Sequence, residues 1–353
     1  MTTSDTRTER SPESPDAASQ DTTTRRRGLF GRVPGFADPT ARSVYGWAIA
    51  QLVVNVGIVV TGGAVRLTGS GLGCPRWPQC TDGSFVPHQA LGMHGAIEFG
   101  NRMLTWVLVV VAIGTWLAVF RRRGSTRGDR WLATLIALGI PFQAVIGGIS
   151  VLTDLNPWVV SLHFVLSMAL VSLATVLVFR TSPHERDKTT NIVAARLGSA
   201  LSWLIYVLTW ATIYVGTVVT GSGPHAGDAD APRNGLDPGA MTQLHADFVF
   251  VLVGLALAVA VTARVLQLPQ TRAALIYVGL LALQGVIGGI QYATYLPMAL
   301  VIAHMLGSAL LMIGATWLVL WFGSDQRADS AQLSGGDQTD QVGQRERGDA
   351  PVN

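Results

Sequence analysis

Charged residues are scarce in this chain. Asp, Glu, Lys and Arg make up 13% of its 353 residues, whereas 49% are hydrophobic. A soluble domain carries about a quarter charged residues, so the composition excludes an ordinary soluble fold. No polar segment is long enough for a separate catalytic domain, and no flavin or nicotinamide motif is apparent. Any chemistry must therefore take place inside, or at the edge of, a membrane bundle.

A secretory signal peptide is also not apparent, since no apolar core follows closely on the N-terminus. The apolar residues instead form blocks of about 20, the length that crosses a bilayer core. These blocks predict an all-α integral membrane protein with eight transmembrane helices. Their expected positions are about 44–65, 92–120, 131–152, 157–179, 197–220, 242–266, 272–291 and 296–322.

Basic residues are unevenly placed around the predicted helices. Arg-rich segments precede helix 1 and follow helices 2 and 4, whereas the other side carries only Arg66, Arg76 and Arg233. The positive-inside rule places the Arg-rich side, with both termini, in the cytoplasm of a cell whose plasma membrane holds the protein. The polar segments 1–43 and 323–353 are predicted to be disordered cytoplasmic tails. Because the Arg residues are scattered between spans, they indicate contact with membrane lipid rather than with nucleic acid.

Two long segments repeat one another. QAVIGGISVLTDLNPWVVSLH ends at His163 and QGVIGGIQYATYLPMALVIAH ends at His304. The shared start Q-x-V-I-G-G-I, followed by a His at the same distance, is poorly explained by chance. The chain is predicted to be two tandem four-helix bundles related by a pseudo-two-fold axis along the membrane normal. The two bundles and the cytoplasmic linker between them are placed at 44–180, 197–322 and 181–196.

Cysteine is almost missing. Cys74 and Cys80 are the only two, and both lie in GSGLGCPRWPQC in the first outer loop. A disulfide is compatible with this oxidising side of the membrane. The C-x5-C spacing differs from the C-x-x-C spacing of redox motifs, so two interpretations stay open. The pair is either a structural crosslink or a redox-active pair beside a functional site.

Four of the seven histidines fall inside predicted spans, near their outer ends. They are His94, His163, His245 and His304, on helices 2, 4, 6 and 8. Ionisable residues within spans are rare and usually functional. Two imidazoles facing each other across a bundle are what bis-His haem ligation requires. Zinc is less favoured because no third or fourth ligand accompanies each pair, and a proton relay in a transporter stays open.

The stretch HGAIEFGNR, at 94–102, concentrates polar residues at the start of an apolar helix. Glu98 lies four residues from both His94 and Arg102. It is interpreted as a residue that moves protons or stabilises charge at the site; the alternative is a simple helix pair with Arg102. Arg66 and Arg76, at the outer surface, are candidates for pairing with haem propionates.

Together these motifs resemble the haem A synthase family of bacterial inner membranes and mitochondria. The matching segments TGGAVRLTGSGLGCPRWPQC, IEFGNR, SLHF, QLH and IAHM lie at 61–80, 97–102, 161–164, 243–245 and 302–305. The resemblance implies oxidation of a ring methyl group of haem O to a formyl group, by successive hydroxylations, to give haem A for cytochrome oxidase. It also implies a haem b ligated by His245 and His304, a substrate haem at His163 and a catalytic role for Glu98.

The sequence departs from the family pattern in helix 2. Many members read E-x-x-H-R there, but in EFGNR the position of the ligand His is held by Asn101. Either His94, seven residues earlier and on nearly the same face, ligates the substrate haem together with His163, or His163 ligates alone and one face of the iron is open. We favour the first interpretation. Asn101 and Arg102 are then expected to support the site.

The resemblance further implies a haem O synthase that supplies the substrate, and an electron donor outside the chain. A homo-oligomer is left open by the sequence. Two other functions are also compatible with repeated membrane histidines. One is a b-type cytochrome that transfers electrons without oxidising haem O, and the other is a transporter, which would bind no iron.

Overall fold

A computed structural model of the chain describes residues 39–87, 92–184, 186–187 and 192–348, apart from the side chains of residues 192 and 325–348. Within these ranges the chain forms the helices α1 (Ala41–Leu67), α2 (Gly92–Arg121), α3 (Arg127–Leu152), α4 (Pro157–Thr181), α5 (Ile192–Ser222), α6 (Pro238–Val265), α7 (Thr271–Ala293) and α8 (Met298–Gly348). All eight are long and apolar enough to cross a membrane. The prediction of an all-α membrane chain with eight spans is confirmed.

Several helices begin a few residues before the predicted spans, because polar residues cap them. Thr126 and Asp129 form a capping box at the start of α3, in which each side chain bonds the other residue's backbone N–H. Asp237 caps α6, where its Oδ1 accepts from the N–H of Ala240 at 2.7 Å. Capping extends a helix beyond its apolar run, which is why hydropathy alone placed these starts four residues too late.

The two ends of the chain are only partly described. Residues 1–38 and 349–353 lie outside the described residues, and α8 continues to Gly348, past the predicted end of the eighth span near residue 322. The apolar stretch of α8 includes Met298–Ser324. The expectation that 1–43 and 323–353 form disordered cytoplasmic tails stays a prediction.

The helices pack as two sets of four. Helices α1 to α4 form a closed ring of neighbours, and α5 to α8 form another with the same order of contacts. The sets meet where α1 and α4 pack against α8 and where α4 packs against α5. An apolar cluster that includes Val59, Met168, Ile213 and Met312 fills this junction. The pseudo-two-fold arrangement of the sets stays a prediction.

The repeated segments share an unusual turn. Leu155, between α3 and α4, and Leu296, between α7 and α8, each adopt a positive φ together with the preceding residue, with values of 52° to 61°. The N–H of Leu155 donates to Ser150 O at 2.8 Å, and that of Leu296 donates to Gln291 O at 2.7 Å. Positive φ is uncommon for residues other than glycine. Its occurrence at matched positions indicates that both copies position the following helix in the same way.

Candidate functional site

Two histidines meet in the second set of helices. The ring centroids of His245, on α6, and His304, on α8, lie 6.4 Å apart with 66° between the ring planes. The histidines follow Pro238 and Met298 by seven and six residues, so each lies about 9–11 Å inside its helix. The expected facing pair is therefore present, at matched depth.

A backbone hydrogen bond orients the ring of His245, and a close glycine lies beside each of the two rings. His245 Nδ1 is 3.1 Å from Thr212 O, so this nitrogen carries the proton and donates, which leaves Nε2 free as a ligand. Glycines make room for the rings. A β-carbon built on Gly216 would lie 3.0 Å from Cε1 of His245, and one on Gly288 would lie 3.1 Å from Cε1 of His304. The absence of side chains at these glycines lets the helices approach the imidazoles closely.

The pair fits a haem iron. Two metal–imidazole bonds of about 2 Å, with about 1 Å from each nitrogen to its ring centroid, would separate the centroids by about 6 Å. The 6.4 Å observed agrees with this. In addition, Nδ1 of His304 is buried and has no hydrogen-bond partner in the described part of the chain. Within that part no group of three or more His, Cys, Asp or Glu residues could hold a metal ion.

His163, on α4, shares two contacts with His304. A β-carbon on Gly147 would lie 3.1 Å from Cε1 of His163, as for Gly288 and His304. The Nε2 amide of Gln143 donates to His163 O at 3.1 Å, and that of Gln284 donates to His304 O at 2.7 Å. The repeated Gln–His spacing in the sequence thus corresponds to a repeated hydrogen bond.

The first set of helices does not pair its histidines in this way. His94 follows Gly92 by two residues, is exposed, and shares a hydrogen bond between its Nδ1 and Ser70 Oγ at 3.0 Å. Among the described residues, no ring contact joins His94 to His163. The Oδ1 of Asn101 instead accepts from Thr61 Oγ1 at 2.8 Å. Ligation by His94 and His163 together stays a prediction.

Glu98 is buried, and both of its oxygens accept hydrogen bonds. Its side chain is 7% exposed, and its Oε1 accepts from Arg102 Nη2 at 2.6 Å and from Nε at 3.1 Å. Its Oε2 accepts from the backbone N–H of Cys74 at 2.6 Å. The pair with Arg102 exists, but the carboxylate also anchors the first outer loop, which the sequence interpretation missed.

Arg102 completes this anchor. Its guanidinium donates to the carbonyl oxygens of Cys74, Arg76 and Gln79 at 3.0 to 3.1 Å. Three loop carbonyls and one carboxylate therefore surround a single cation. Arg102 thus holds the loop in place, and its support of a haem site stays a prediction.

Cys74 and Cys80 form the expected disulfide and are completely buried. The crosslinked loop lies over the first set of helices, because the ring of Trp77 packs directly against Gly148, the neighbour of Gly147. At the corresponding Gly289 a β-carbon would meet no atom within 4 Å. Only the first of these two glycines is thus covered by a loop tryptophan. Nothing in the sequence marked Trp77 as part of the site.

The two outer arginines have different surroundings. Arg66 donates through Nε to His225 O at 2.7 Å and through Nη2 to Thr220 O at 3.2 Å. Burial, followed by the charges of Arg66 and Arg233, lowers the pKa of the His225 imidazole. Arg76 instead forms an exposed pair with Asp82 at 3.2 Å. Arg66 therefore joins the end of α1 to the end of α5 and to the loop that follows α5. A propionate role for either arginine stays a prediction.

A family model described as cytochrome oxidase assembly protein, COX15-CtaA, matches residues 45–232. This match covers more than half of the chain. It includes the disulfide loop, Glu98 and His163, and it ends before α6. The chain belongs to this family. The His245–His304 pair lies beyond the match, so the role of that pair rests on its geometry and on the repeat.

Curated relatives of this COX15-CtaA chain are named heme A synthase. The protein of Lysinibacillus sphaericus is 31% identical over 182 residues, 49% of this chain and 57% of its own length. That of Bacillus licheniformis is 27% identical over 208 residues, 56% and 67% of the two lengths. That of Geobacillus kaustophilus is 28% identical over 186 residues, which is 50% of this chain and 56% of its own length. The chain thus spans between about half and two thirds of the length of these relatives.

Proposed function

We propose that this chain is a haem A synthase, which oxidises a ring methyl group of haem O to a formyl group by successive hydroxylations. The name of the relatives and the family membership support this activity. The main structural support is the facing pair of His245 and His304. A third histidine, His163, lies against a glycine in the same way as His304. One bundle therefore offers a place for a resident haem and another for a substrate haem.

The second set of helices is the proposed haem b site, with His245 and His304 as ligands. Haem b bound there supplies one-electron transfer. The hydrogen bond from His245 Nδ1 to Thr212 O fixes the ring orientation and raises the basicity of the ligating nitrogen. The apolar residues packed between α5, α6, α7 and α8 keep water away from the His245–His304 pair. The electrons come from a donor outside the chain.

The first set is the proposed substrate site. His163 is the proposed axial ligand of haem O, and Glu98 is the proposed residue that holds or moves a proton at its Oε atoms. Arg102 bonds that carboxylate and fixes it beneath the disulfide loop. The loop, with Trp77 over α3, shields this site from water. The disulfide is proposed to be a structural crosslink, since both sulfurs are buried.

The proposed setting is the plasma membrane, with both termini in the cytoplasm and the disulfide loop outside. The eight apolar helices support a multi-pass protein, and the distribution of Arg residues supports this orientation. A haem O synthase is the proposed supplier of substrate, because haem O is too apolar to cross the aqueous phase readily.

Product analysis tests this proposal. The chain is expressed with a haem O synthase in a host that makes no haem A, and the extracted haems are identified by mass. Haem A is expected. If only haem O accumulates although the purified protein shows a Soret band, the chain is an electron-transfer cytochrome. If the purified protein binds no haem at all, the transporter alternative gains support and the proposal is wrong.

A further inference from the structure

The two sets of helices differ beside one pair of matched glycines. Gly57 lies in GIVVTGG of α1, and Gly216 holds the same place in GTVVTGS of α5. A β-carbon on Gly216 would lie 3.0 Å from the ring of His245, whereas one on Gly57 would meet no atom within 4 Å. The first set therefore has open space where the second set holds an imidazole.

Asn101, on α2, is bonded to α1 one turn from Gly57. Thr61, one turn from Gly57, donates to Asn101 Oδ1 at 2.8 Å and so fixes the amide. An amide is not among the side chains that ligate haem iron, which are those of His, Cys, Met and Tyr. The position that corresponds to His245 is thus held by a residue that is smaller than His and does not ligate.

His94 is poorly placed to take over that role. His245 and His304 lie seven and six residues inside their helices and are in ring contact. His94 lies only two residues inside α2, about 6 Å shallower than His163 lies in α4 at 1.5 Å per residue. It is also bonded to Ser70 in the outer loop.

We propose that the first set of helices holds its porphyrin through His163 alone. The opposite axial position, beside Gly57 and Asn101, then binds a diatomic ligand such as carbon monoxide, cyanide or dioxygen. This inference rests on the proposed function, which places a haem in the first set. It adopts the second of the two interpretations that the sequence left open, in which His94 is not a ligand.

Ligand-binding spectroscopy on the full chain tests the assignment. The purified protein, with its second site filled, is titrated with haem b as a substrate analogue until both sites are loaded. Electron paramagnetic resonance of the ferric protein reports the spin state of each haem. A difference spectrum of the dithionite-reduced protein, with and without carbon monoxide, reports open axial positions. One low-spin and one high-spin haem are expected, and only the high-spin haem binds carbon monoxide.

Two variants and a control locate the open position. Asn101→His supplies an imidazole beside Gly57, so the high-spin signal and carbon monoxide binding are expected to fall by about tenfold or more. Asn101→Gln keeps an amide and is expected to retain both, which shows that the helix tolerates a change there. His94→Ala is expected to leave both signals unchanged, because its ring lies outside the site.

Other outcomes overturn the inference in distinguishable ways. If both haems of the wild type are low-spin and do not bind carbon monoxide, and His94→Ala opens one of them, His94 is the ligand and the inference is wrong. If Asn101→His binds carbon monoxide as the wild type does, the open position lies elsewhere. If only one haem is taken up, and His304→Ala abolishes it, the first set has no substrate site. The proposed function then fails together with the inference.

Discussion

At the scale of single residues, the loop contacts of Glu98 and its proposed role in proton transfer make different demands on the carboxylate. A carboxylate that moves protons must be reachable and adjustable. Both oxygens of Glu98 are nevertheless occupied, one by the guanidinium of Arg102 and the other by the N–H of Cys74. Glu98 accepts three hydrogen bonds in all, so an acceptor site on Oε2, the oxygen bonded to the loop N–H, is left for proton exchange.

Substitutions that separate the two roles are expected to have different effects. Glu98→Gln should lower the rate of haem O oxidation by about 100-fold or more, because it removes a proton-transfer group while the amide can still bond the loop. Arg102→Gln should mainly lower thermal stability, by about 3 kcal/mol, since it leaves a buried carboxylate and three loop carbonyls without their cation. Rates are measured from haem A formation, and stability from thermal unfolding in detergent.

Asp129→Asn is a matched control for this pair of variants. Asp129, on α3, accepts a hydrogen bond from Arg180, on α4, at 2.6 Å. This ion pair is as short as that of Glu98 and Arg102, but it does not involve the outer loop. Its loss should leave haem A formation unchanged. If each of the variants Glu98→Gln and Arg102→Gln loses activity only in proportion to its loss of stability, Glu98 serves only to anchor the loop.

The sequence predicted some of these residues because their signals are local or repeated. His245 and His304 were found because ionisable residues stand out in an apolar helix, and the structure places them in contact. The disulfide followed from two cysteines in one loop. The partner of Arg66 was not predictable, because His225 lies 159 residues away and nothing in the local pattern marks a backbone acceptor.

At the scale of helices, hydropathy in the sequence predicted which segments are helical. It did not predict where a helix begins when a polar cap sets the start. All eight spans were found, but Thr126 and Asp237 start their helices before the apolar residues begin. The repeat was equally visible in the sequence, since Gln and His recur with the same spacing. Its physical meaning, an amide hydrogen bond to the His carbonyl and a glycine beneath the ring, needed the packed helices.

Neighbouring glycines on α7 allow a helix-scale test of the haem b site. Gly288→Ala places a methyl group 3.1 Å from Cε1 of His304 and should displace the imidazole. Haem b retention is expected to fall by about tenfold or more, as for other changes that disturb ligand orientation. Retained haem is measured by the Soret absorbance per protein after purification.

Gly289→Ala is the control for this change, because a β-carbon there meets no atom within 4 Å. Both variants gain the same methyl group and the same helix propensity on the same helix. If they retain haem equally, the close contact between Gly288 and His304 does not position the ring, and the proposed ligand geometry is wrong.

At the scale of the whole molecule, the junction between the two sets of helices is held at two levels. Within the membrane, Ser172 on α4 lies 2.9 Å from the hydroxyl of Tyr206 on α5 and 3.0 Å from that of Thr316 on α8. At the outer side, the N–H of Gly71 donates to Gly227 O at 2.9 Å. The proposed substrate site in one set and the proposed haem site in the other would need a fixed separation for electron transfer, and these contacts hold the two sets together.

Arg66 is the charged member of this junction, and its substitution gives a test at this scale. Arg66→Gln removes hydrogen bonds to the carbonyls of His225 and Thr220. Because bonds from charged donors contribute about 1.5–3 kcal/mol each, the thermal midpoint should fall by several degrees. Arg76→Gln, which removes an exposed pair with Asp82, should shift the midpoint by much less.

Haem content distinguishes a structural role of Arg66, through its hydrogen bonds, from the pairing with a haem propionate that the sequence analysis proposed. Tryptophan fluorescence follows unfolding in detergent, and the Soret absorbance of the same sample at low temperature reports bound haem. If Arg66 joins α1 to α5 and to the loop that follows α5, Arg66→Gln lowers the midpoint while the folded protein keeps its haem. If haem is lost from a variant whose midpoint equals that of the wild type, Arg66 pairs with a propionate, and the loop contacts contribute little to holding the two sets of helices together.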